Sequence, residues 1–497
     1  MLLSTLPPEL LNRIGDFLDK NDIITMCLVC RTSRFIFTRQ IIWHLLRESR
    51  PPVYRAVHFR NLEMVKLLLE QYGAPINATC RGLTPLMRAA DTRNLKAVNL
   101  LLSYESININ FWSEEDETAL SIAVSRGSYS VVNRLLGVPG IDINGQEPKI
   151  QIPLKVALDY NHYHILQLLL SHPRIDVNVK DNLNKYLLHH AVESGDHIAT
   201  QMLVAHDKID VNCLDSGGND ALLLAVKNYH EYGSEVDAVQ VVDSFVSGTK
   251  IDVNRQDPQG RSALWYAVDT EDEEIVEILV EADHINLNLS DHRGLTPLSH
   301  AAGNGSLGIV RLLLKQFGVR VNAHSTEVVP PLWAACQSGH HDVVEVLLDQ
   351  ISVNINERSP SGTSPLQVAL IMHHLPIAYL LLLQTGRLAV NDRGPQDWTA
   401  LMFAASNGFQ ETVSRLLKIP NIDINSVDDH GRTAIWYAAA GGHLQSVKLL
   451  IEHPCLNIAL QDSQGKSAQD IAKDRGYWRI VSLLQAKAMW QSFCGDN

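Results

Sequence analysis

Apolar and polar positions recur along the chain with a period of about 34 residues, from about residue 80 to the C-terminus. Each unit runs from a Gly or polar turn through Thr or Ser to Leu-x-x-Ala-Ala, then to Val-Val-x-x-Leu-Leu, and closes on Ile-Asp-Val-Asn or a near copy. The Thr-equivalent positions are 84, 118, 152, 186, 220, 262, 296, 330, 364, 399, 433 and 467. A fixed period of this length predicts a stack of helix pairs in which neighbouring units bury each other's apolar faces.

The residues of one unit predict its local structure. Thr84 is suited to cap a first helix, and Pro85 has no N–H to lose in the first turn. The paired Ala residues allow close helix packing, and the Leu-Leu pair gives the second helix its apolar side. The closing Asn suits a turn because its amide can bond the local backbone. The predicted fold class is therefore all-α, with short β-hairpin fingers between the helix pairs.

The Thr-Pro-Leu-x-x-Ala-Ala core resembles the ankyrin repeat, and the resemblance covers about residues 53–497. It implies an ankyrin-repeat solenoid over residues 51–497 with about 13 units, the first and last acting as caps. The interval from 220 to 262 exceeds the others, which predicts an insertion near residues 229–236. Insertions in repeat arrays fall in loops on one face. This one contains Tyr229 and Tyr232, so it is either a private binding feature or neutral elongation.

Residues 1–50 lack the period and read as a separate domain of three short helices. The order Leu-Pro-x-Glu-Leu-Leu, x-x-Ile-x-x-Phe-Leu, Asp-Ile and Val-Cys-Arg resembles the F-box motif over roughly residues 3–46. Pro51 and Pro52 follow at once and predict a stiff connection to the array. The simpler interpretation of these helices is a lid on the solenoid, without a partner of its own.

The F-box resemblance implies a substrate-recognition subunit of a Skp–cullin–F-box ubiquitin ligase, within the ubiquitin conjugation pathway. The F-box would dock to a Skp adaptor and the ankyrin surface would capture an unknown client protein. The residues that the resemblance places at the adaptor are Leu6, Pro7, Leu10, Ile14, Leu18, Leu28 and Val29. Some of them instead form the small domain's own core, and the sequence does not sort them. The alternative function is an ankyrin protein-binding scaffold without a ligase role.

Composition limits the classes of partner and the cellular compartments that we expect. The net charge is −13, of which residues 1–50 contribute +2 and the remainder −15. An acidic array argues against nucleic acid, which demands basic patches, and leans toward a basic protein ligand. The seven scattered cysteines suit a reducing compartment, so we expect a cytoplasmic or nuclear location. No apolar run reaches membrane length, and we expect no membrane partner.

Three local patterns suggest chemistry but do not complete a site. Gly465-Lys466-Ser467 lacks the earlier Gly of a phosphate-binding loop, because Leu460 stands there. Cys27 and Cys30 have metal spacing but no second ligand pair. The His pairs recur at repeat positions where ankyrin units carry structural histidines. We therefore expect no enzyme activity, no catalytic residue, no metal site and no cofactor.

The residue just before each cap varies from copy to copy, as a recognition row requires. Trp398 is the clearest anchor if its indole is exposed, and the alternative is that it folds over its own finger. The predicted client-binding residues are Trp398, Arg261, Lys185, Glu117, Arg432, Tyr229 and Tyr232. Trp265 and Trp333 follow Leu on first helices, and Trp436 follows Ile435 at the same position, where half-buried packing is favoured.

Overall fold

The computed structural model describes residues 51–145, 151–181, 185–228, 235–247, 251–323 and 325–494. These residues contain 26 α-helices, arranged along the chain as thirteen pairs, and one 3₁₀ helix at Pro395–Asp397. They fall into two compact units, Met1–Lys250 and Ile251–Asn497. The all-α fold class predicted from the period is confirmed. The seven predicted adaptor-binding residues, Tyr229 and Tyr232 all lie outside the described residues.

The described part of the first unit contains six helix pairs. Its helices are α1 Pro52–His58, α2 Leu62–Glu70, α3 Pro85–Asp91, α4 Leu95–Leu101, α5 Ala119–Ser125, α6 Tyr129–Leu136, α7 Pro153–Asp159, α8 Tyr163–Leu170, α9 Leu187–Glu193, α10 His197–Val204, α11 Ala221–Lys227 and α12 Glu235–Val246. Of the predicted insertion near 229–236, only the last two residues are described, and they begin α12.

The second unit contains seven helix pairs. Its helices are α13 Ala263–Asp269, α14 Glu273–Val280, α15 Pro297–Asn304, α16 Leu307–Leu314, α17 Pro331–Ser338, α18 His341–Leu348, α19 Pro365–Ile371, α20 Leu375–Leu383, α21 Ala400–Ser406, α22 Gln410–Leu416, α23 Ala434–Ala440, α24 Leu444–Glu452, α25 Ala468–Asp474 and α26 Trp478–Cys494. The final helix has 17 residues, about twice the length of the other second helices of this unit.

Side-chain caps begin most of the first helices, as the sequence predicts. Thr84 Oγ1 accepts a hydrogen bond from the backbone N–H of Met87, and Thr296 caps Ser299 in the same way. Such a cap contributes about 1 kcal/mol. The prediction fails where the cap position holds Ile152, Tyr186 or Pro330, none of which makes a side-chain cap bond.

Within each unit, first helices pack on first helices and second helices on second helices of the next repeat. The paired alanines are fully buried in this contact, for example Ala89 and Ala90, or Ala438 and Ala439. Small side chains let the helix axes approach, and buried leucines on both helices of each repeat contribute hydrophobic stabilisation. Each repeat therefore depends on its neighbours for its core.

The closing asparagines join consecutive repeats. Asn322 donates its side-chain N–H to the carbonyl oxygen of Ser352, and its Oδ1 accepts from the backbone N–H of Asn354, both over 2.7 Å. The same pair of bonds recurs at Asn77, Asn110, Asn144, Asn178, Asn254, Asn288, Asn356, Asn391 and Asn425. The sequence suggested local backbone bonding, but the amide reaches the following repeat.

The fingers are simpler than the predicted hairpins. Among the described residues their pairing is limited to isolated antiparallel bridges, such as Gln256 with Ser262 and Gln461 with Ser467. Neighbouring fingers pack closely: a Cβ on Gly294, whose φ is +80°, would lie 1.9 Å from the carbonyl oxygen of Glu327. Only Gly tolerates that approach and that backbone conformation.

Among the described helices, none has both the length and the apolar character that crossing a membrane requires.

Candidate client-binding surface

Several finger turns are organised by an aspartate carboxylate. Asp428 Oδ1 accepts hydrogen bonds from the backbone N–H groups of His430 (2.9 Å) and Arg432 (2.8 Å). Asp215, Asp257, Asp291 and Asp462 make the same two bonds in their own turns. In these five turns the bonds fix the backbone of the residue just before the cap, which is the predicted recognition position. These aspartates were not among the predicted site residues, although each one precedes a turn Gly by three residues.

Arg432 lies in an aromatic cluster rather than on a free tip. Its Nε donates to Asp428 Oδ2 over 3.0 Å, and its guanidinium lies 5.1 Å from the ring centre of Tyr437 and 5.4 Å from that of Trp436. Tyr437 in turn donates its hydroxyl to Asp428 Oδ2 over 2.6 Å. The guanidinium is therefore held in one orientation before any partner arrives, which lowers the entropy cost of binding.

Burial and hydrogen bonding shift the pKa values of both Asp428 and Tyr437. Burial of Asp428 opposes ionisation, but the hydrogen bonds from Tyr437, His430 and Arg432 outweigh it, so the pKa of Asp428 lies below its ordinary value. Burial, together with the hydrogen bond to the carboxylate, raises the pKa of Tyr437. At neutral pH the cluster thus contains an ionised Asp428 and a protonated Tyr437.

Trp398 belongs to the same cluster, and its indole is half-buried. Its ring centre lies 4.8 Å from Phe403 on its own repeat and 4.4 Å from Tyr437 on the next repeat. Gln367 donates its amide N–H to the carbonyl oxygen of Trp398 over 3.1 Å, which fixes the finger. Of the two alternatives for Trp398, the structure shows the second: the indole folds over its own finger, and it also contacts the next repeat.

A second cluster of the same composition surrounds Arg261. Its guanidinium lies 4.5 Å from the ring centre of Trp265, and Tyr266 donates its hydroxyl to Asp257 over 2.6 Å. The ring of His300, from the next repeat, stacks on the Trp265 indole, and the two ring centres are 4.2 Å apart. Trp265 is almost fully buried, so of the three expected half-buried tryptophans it is the most deeply packed.

Lys185 and Glu117 lie in the first unit and are both half-buried. Lys185 forms an ion pair with Glu193, and its backbone N–H bonds Asp181. The backbone N–H of Glu117 bonds Ser113 Oγ, and burial, assisted by the neighbouring Glu115, raises the pKa of the Glu117 carboxyl. Both side chains are therefore only partly accessible to a partner.

An open groove of about 640 Å³ lies beside the Lys185–Glu193 ion pair. It is formed by the ends of α7 and α9 and the turns that follow them. Asp159, Glu193 and Asp196 supply carboxylates to its lining, together with His190 and His197. Asp196 already caps α10 and accepts a bond from Tyr163 over 3.3 Å. The groove therefore presents net negative charge, which favours basic side chains in a partner.

The structure brings together only some of the predicted client-binding residues. Trp398 and Arg432 share contacts with Tyr437, whereas Arg261 has its own cluster. Both clusters contain an aspartate carboxylate that accepts a hydrogen bond from a tyrosine hydroxyl, Asp428 from Tyr437 and Asp257 from Tyr266.

The recurrent histidines are structural in the described residues. His340 Nε2 donates to the carbonyl oxygen of Gly303 over 3.0 Å, and His443 does the same to Ser406 over 2.9 Å. His162 and His374 make the equivalent bond one repeat back. A Cβ on Gly305 would lie 2.4 Å from the His340 ring, so Gly at this position makes room for the bridge.

The described cysteines form no disulfide, and burial lowers the reactivity of two of them. Cys80, Cys213, Cys336 and Cys455 are free thiols. Burial raises the pKa of Cys213 to about 12 and also raises the pKa of Cys336, so both stay protonated and unreactive. Cys27 and Cys30 lie outside the described residues.

Comparison with known families matches both parts of the chain. The family model described as ankyrin repeats (3 copies) matches residues 34–111, 53–147, 154–240, 232–325, 325–392 and 386–462. The model of the F-box domain matches residues 3–45. A search of curated proteins gave no match.

Proposed function

Because the chain belongs to the ankyrin-repeat family and carries an F-box domain, we propose that it is the substrate-recognition subunit of a Skp–cullin–F-box ubiquitin ligase. Both modules are protein-interaction modules, so the chain has an adaptor or protein-binding role. In the proposal, Leu6, Pro7 and the other predicted F-box residues bind the Skp adaptor. The ankyrin surface captures a client protein.

One observation carries the proposal: a single chain joins an F-box match at residues 3–45 to an ankyrin array. The first module supplies attachment to the ligase, and the second supplies a long, varied surface. Holding the client beside the transfer machinery raises its effective concentration there, so the chain needs no chemistry of its own. A cytoplasmic or nuclear site of action follows from this role.

We place the main client contact at the cluster of Trp398, Arg432, Trp436 and Tyr437. Arg432 is 24% exposed while its Asp428 partner is fully buried, so one side of the guanidinium is fixed and another faces solvent. Trp398, Trp436 and Arg432 are partly exposed and rest on the buried Tyr437, and rigidly held Trp and Arg side chains are typical of interface hot spots. The acidic groove beside Lys185 gives the first unit a place for basic side chains.

The experiment is quantitative affinity capture with the full chain as bait, in cells that express a Skp adaptor. The variant Trp398→Ala with Arg432→Ala should lose the client and retain the adaptor. Glu345→Ala, on the exposed face of α18, is the matched control and should retain both. A client captured this way is then tested for ubiquitin transfer in a reconstituted ligase.

The two outcomes that oppose the proposal are distinct. Loss of the client with Glu345→Ala but not with the double variant would place recognition on the second helices. A chain that captures proteins but never the adaptor would instead favour the scaffold function without a ligase. Because Trp398 contacts Tyr437, the thermal stability of the double variant must be measured beside its binding.

A further inference from the structure

Two neighbouring fingers of the second unit, residues 257–261 and 291–295, expose arginines that the proposed main client contact does not include. The backbone N–H of His292 donates to the carbonyl oxygen of Gln259 over 3.0 Å, so the two fingers are directly joined. The array to which they belong has a large excess of negative charge. An exposed pair of cations is therefore a local exception to the charge of the surface around it.

The charges of these fingers are sorted by depth. The two carboxylates, Asp257 and Asp291, are each 5% exposed, and each organises its own turn. The cations lie outside them, since 61% of the Arg293 side chain is exposed and Arg261 is partly exposed. The following finger adds one exposed carboxylate, Glu327, on the side away from Arg261. A partner that approaches from solvent at Arg261 therefore meets guanidinium groups before it meets a carboxylate.

Arg261 is held in one orientation, but not by a carboxylate. Its guanidinium lies 4.5 Å from the ring centre of Trp265, and its Nη1 donates to the Tyr266 hydroxyl over 3.5 Å. Its Nε has no hydrogen-bond partner among the described residues. Arg432 differs, because its Nε donates to the buried Asp428 over 3.0 Å. Arg261 thus combines a fixed orientation with a charge that is less fully compensated than that of Arg432.

The chemistry of the exposed groups defines the ligand. The guanidinium groups of Arg261 and Arg293 have only N–H donors, so a partner must supply acceptors. A carboxylate is the acceptor in proteins that matches the planar guanidinium and carries the opposite charge. Stacking on Trp265 restricts the Arg261 side chain before binding, which lowers the entropy cost of forming the pair.

We propose that these two fingers bind an acidic segment of the client protein, with one carboxylate paired to Arg261 and a neighbouring carboxylate beside Arg293. The site rests on the proposed capture of a client by the ankyrin surface, and it specifies the class of segment bound there. Arg261 lies five repeats before Arg432 in the same unit, roughly 50 Å along the stack, so the two contacts are separate.

Fluorine NMR of the full chain labelled with fluorotryptophan tests the site, because the Arg261 guanidinium lies against the Trp265 ring. The Trp265 resonance is assigned with Trp265→Phe. The probe is a synthetic peptide of four glutamates flanked by glycines, titrated at about 50 mM salt, where exposed charges are weakly screened. The Trp265 resonance should move and saturate with this peptide, whereas a matched peptide of four glutamines should leave it in place.

Variants assign the response to the two arginines. Arg261→Gln should weaken binding of the glutamate peptide at least tenfold, and Arg293→Gln, which retains the stack on Trp265, should weaken it about threefold or more. The control is Arg311→Gln, at an exposed arginine of α16, which should leave the dissociation constant within twofold. A Trp265 resonance that does not respond, an equal response to the glutamine peptide, or equal weakening by Arg311→Gln would overturn the proposal.

The peptide assay separates this site from the proposed ligase role. It contains neither a Skp adaptor nor a client, so its failure leaves the ligase role standing. Failure of adaptor binding would in turn leave a positive peptide result in place.

Discussion

Replacing Asp428 by Asn should loosen the Arg432 cluster while leaving the shape of its turn intact. Asn Oδ1 can still accept the two backbone bonds from His430 and Arg432. Its Nδ2, however, faces the Arg432 Nε–H as a second donor, so the charged bond of 3.0 Å is lost. Tyr437 can turn its hydroxyl to accept from the amide. The main loss is therefore one ionic hydrogen bond from a fully buried carboxylate.

The magnitude follows from that single loss. A hydrogen bond to a charged group contributes about 1.5–3 kcal/mol, and Arg432 recovers part of it from water because a quarter of its side chain is exposed. We expect about 2 kcal/mol of local destabilisation, or roughly 30-fold faster amide exchange in α23 if exchange proceeds through opening of that repeat. Hydrogen exchange measured by mass spectrometry resolves this peptide by peptide.

The matched variants make the assay specific. Asp257→Asn in the Arg261 cluster should speed amide exchange in α13 and leave amide exchange in α23 unchanged, because each repeat is stabilised by its immediate neighbours. Asp349→Asn, at an exposed position after α18, should change neither helix. Unchanged exchange of α23 in Asp428→Asn, or an equal effect from Asp349→Asn, would refute the argument that the carboxylate holds the cluster.

The pH dependence of stability should reveal the contribution of the Asp428 carboxylate. The pKa of Asp428 is lower in the fold than in the unfolded chain, so its stabilisation is present above about pH 4 and is lost as pH falls through that range. The difference in stability between wild type and Asp428→Asn should therefore shrink below pH 4. A difference that is constant with pH would contradict an ionised Asp428.

Three further predictions concern stability. Asn322→Ala removes two inter-repeat hydrogen bonds from a partly exposed site and should lower the free energy of urea unfolding by about 1–2 kcal/mol. The control Asn304→Ala, at the exposed end of α15, should cause no measurable change. Equal effects of the two variants would refute the inter-repeat role. Burial lowers the pKa of His189, so its neutral form is favoured in the fold, and wild type should lose stability relative to His189→Leu as pH falls below about 6.5, by up to about 1.4 kcal/mol per pH unit. EDTA should leave the melting temperature unchanged, and a stoichiometric metal found by elemental analysis would contradict the expectation of no metal site.

The periodic part of the fold could be predicted because the same residue pattern recurs many times along the chain. Thr84 and Thr296 cap their helices as expected, and the paired alanines lie where first helices meet. The exceptions at Ile152, Tyr186 and Pro330 show that a repeat keeps its place by stacking even where its own cap is missing. Nearest-neighbour packing outweighs one hydrogen bond.

The candidate site was less predictable, because it depends on contacts between repeats. Variation at the tip positions predicts Arg261, Arg432 and Trp398 as client contacts, but it does not show that their side chains pack against aromatic rings. Asp428 and Tyr437 fix these side chains across the turn, and nothing in one repeat's spacing shows that Trp398 packs on the Tyr437 of the next. The organising aspartates were visible as a recurrent Asp before Gly, yet that pattern looks like an ordinary turn.

Calorimetric titration of a purified Skp adaptor into the full chain tests the proposed function most directly. Wild type should bind with one-to-one stoichiometry, and Leu6→Ala with Pro7→Ala should weaken binding by at least ~2 kcal/mol, about 30-fold. Trp398→Ala, outside the F-box match, should leave adaptor affinity unchanged. No heat of binding from a folded wild-type chain, or full affinity in a folded Leu6/Pro7 double variant, would contradict the assignment of this protein as an F-box substrate receptor.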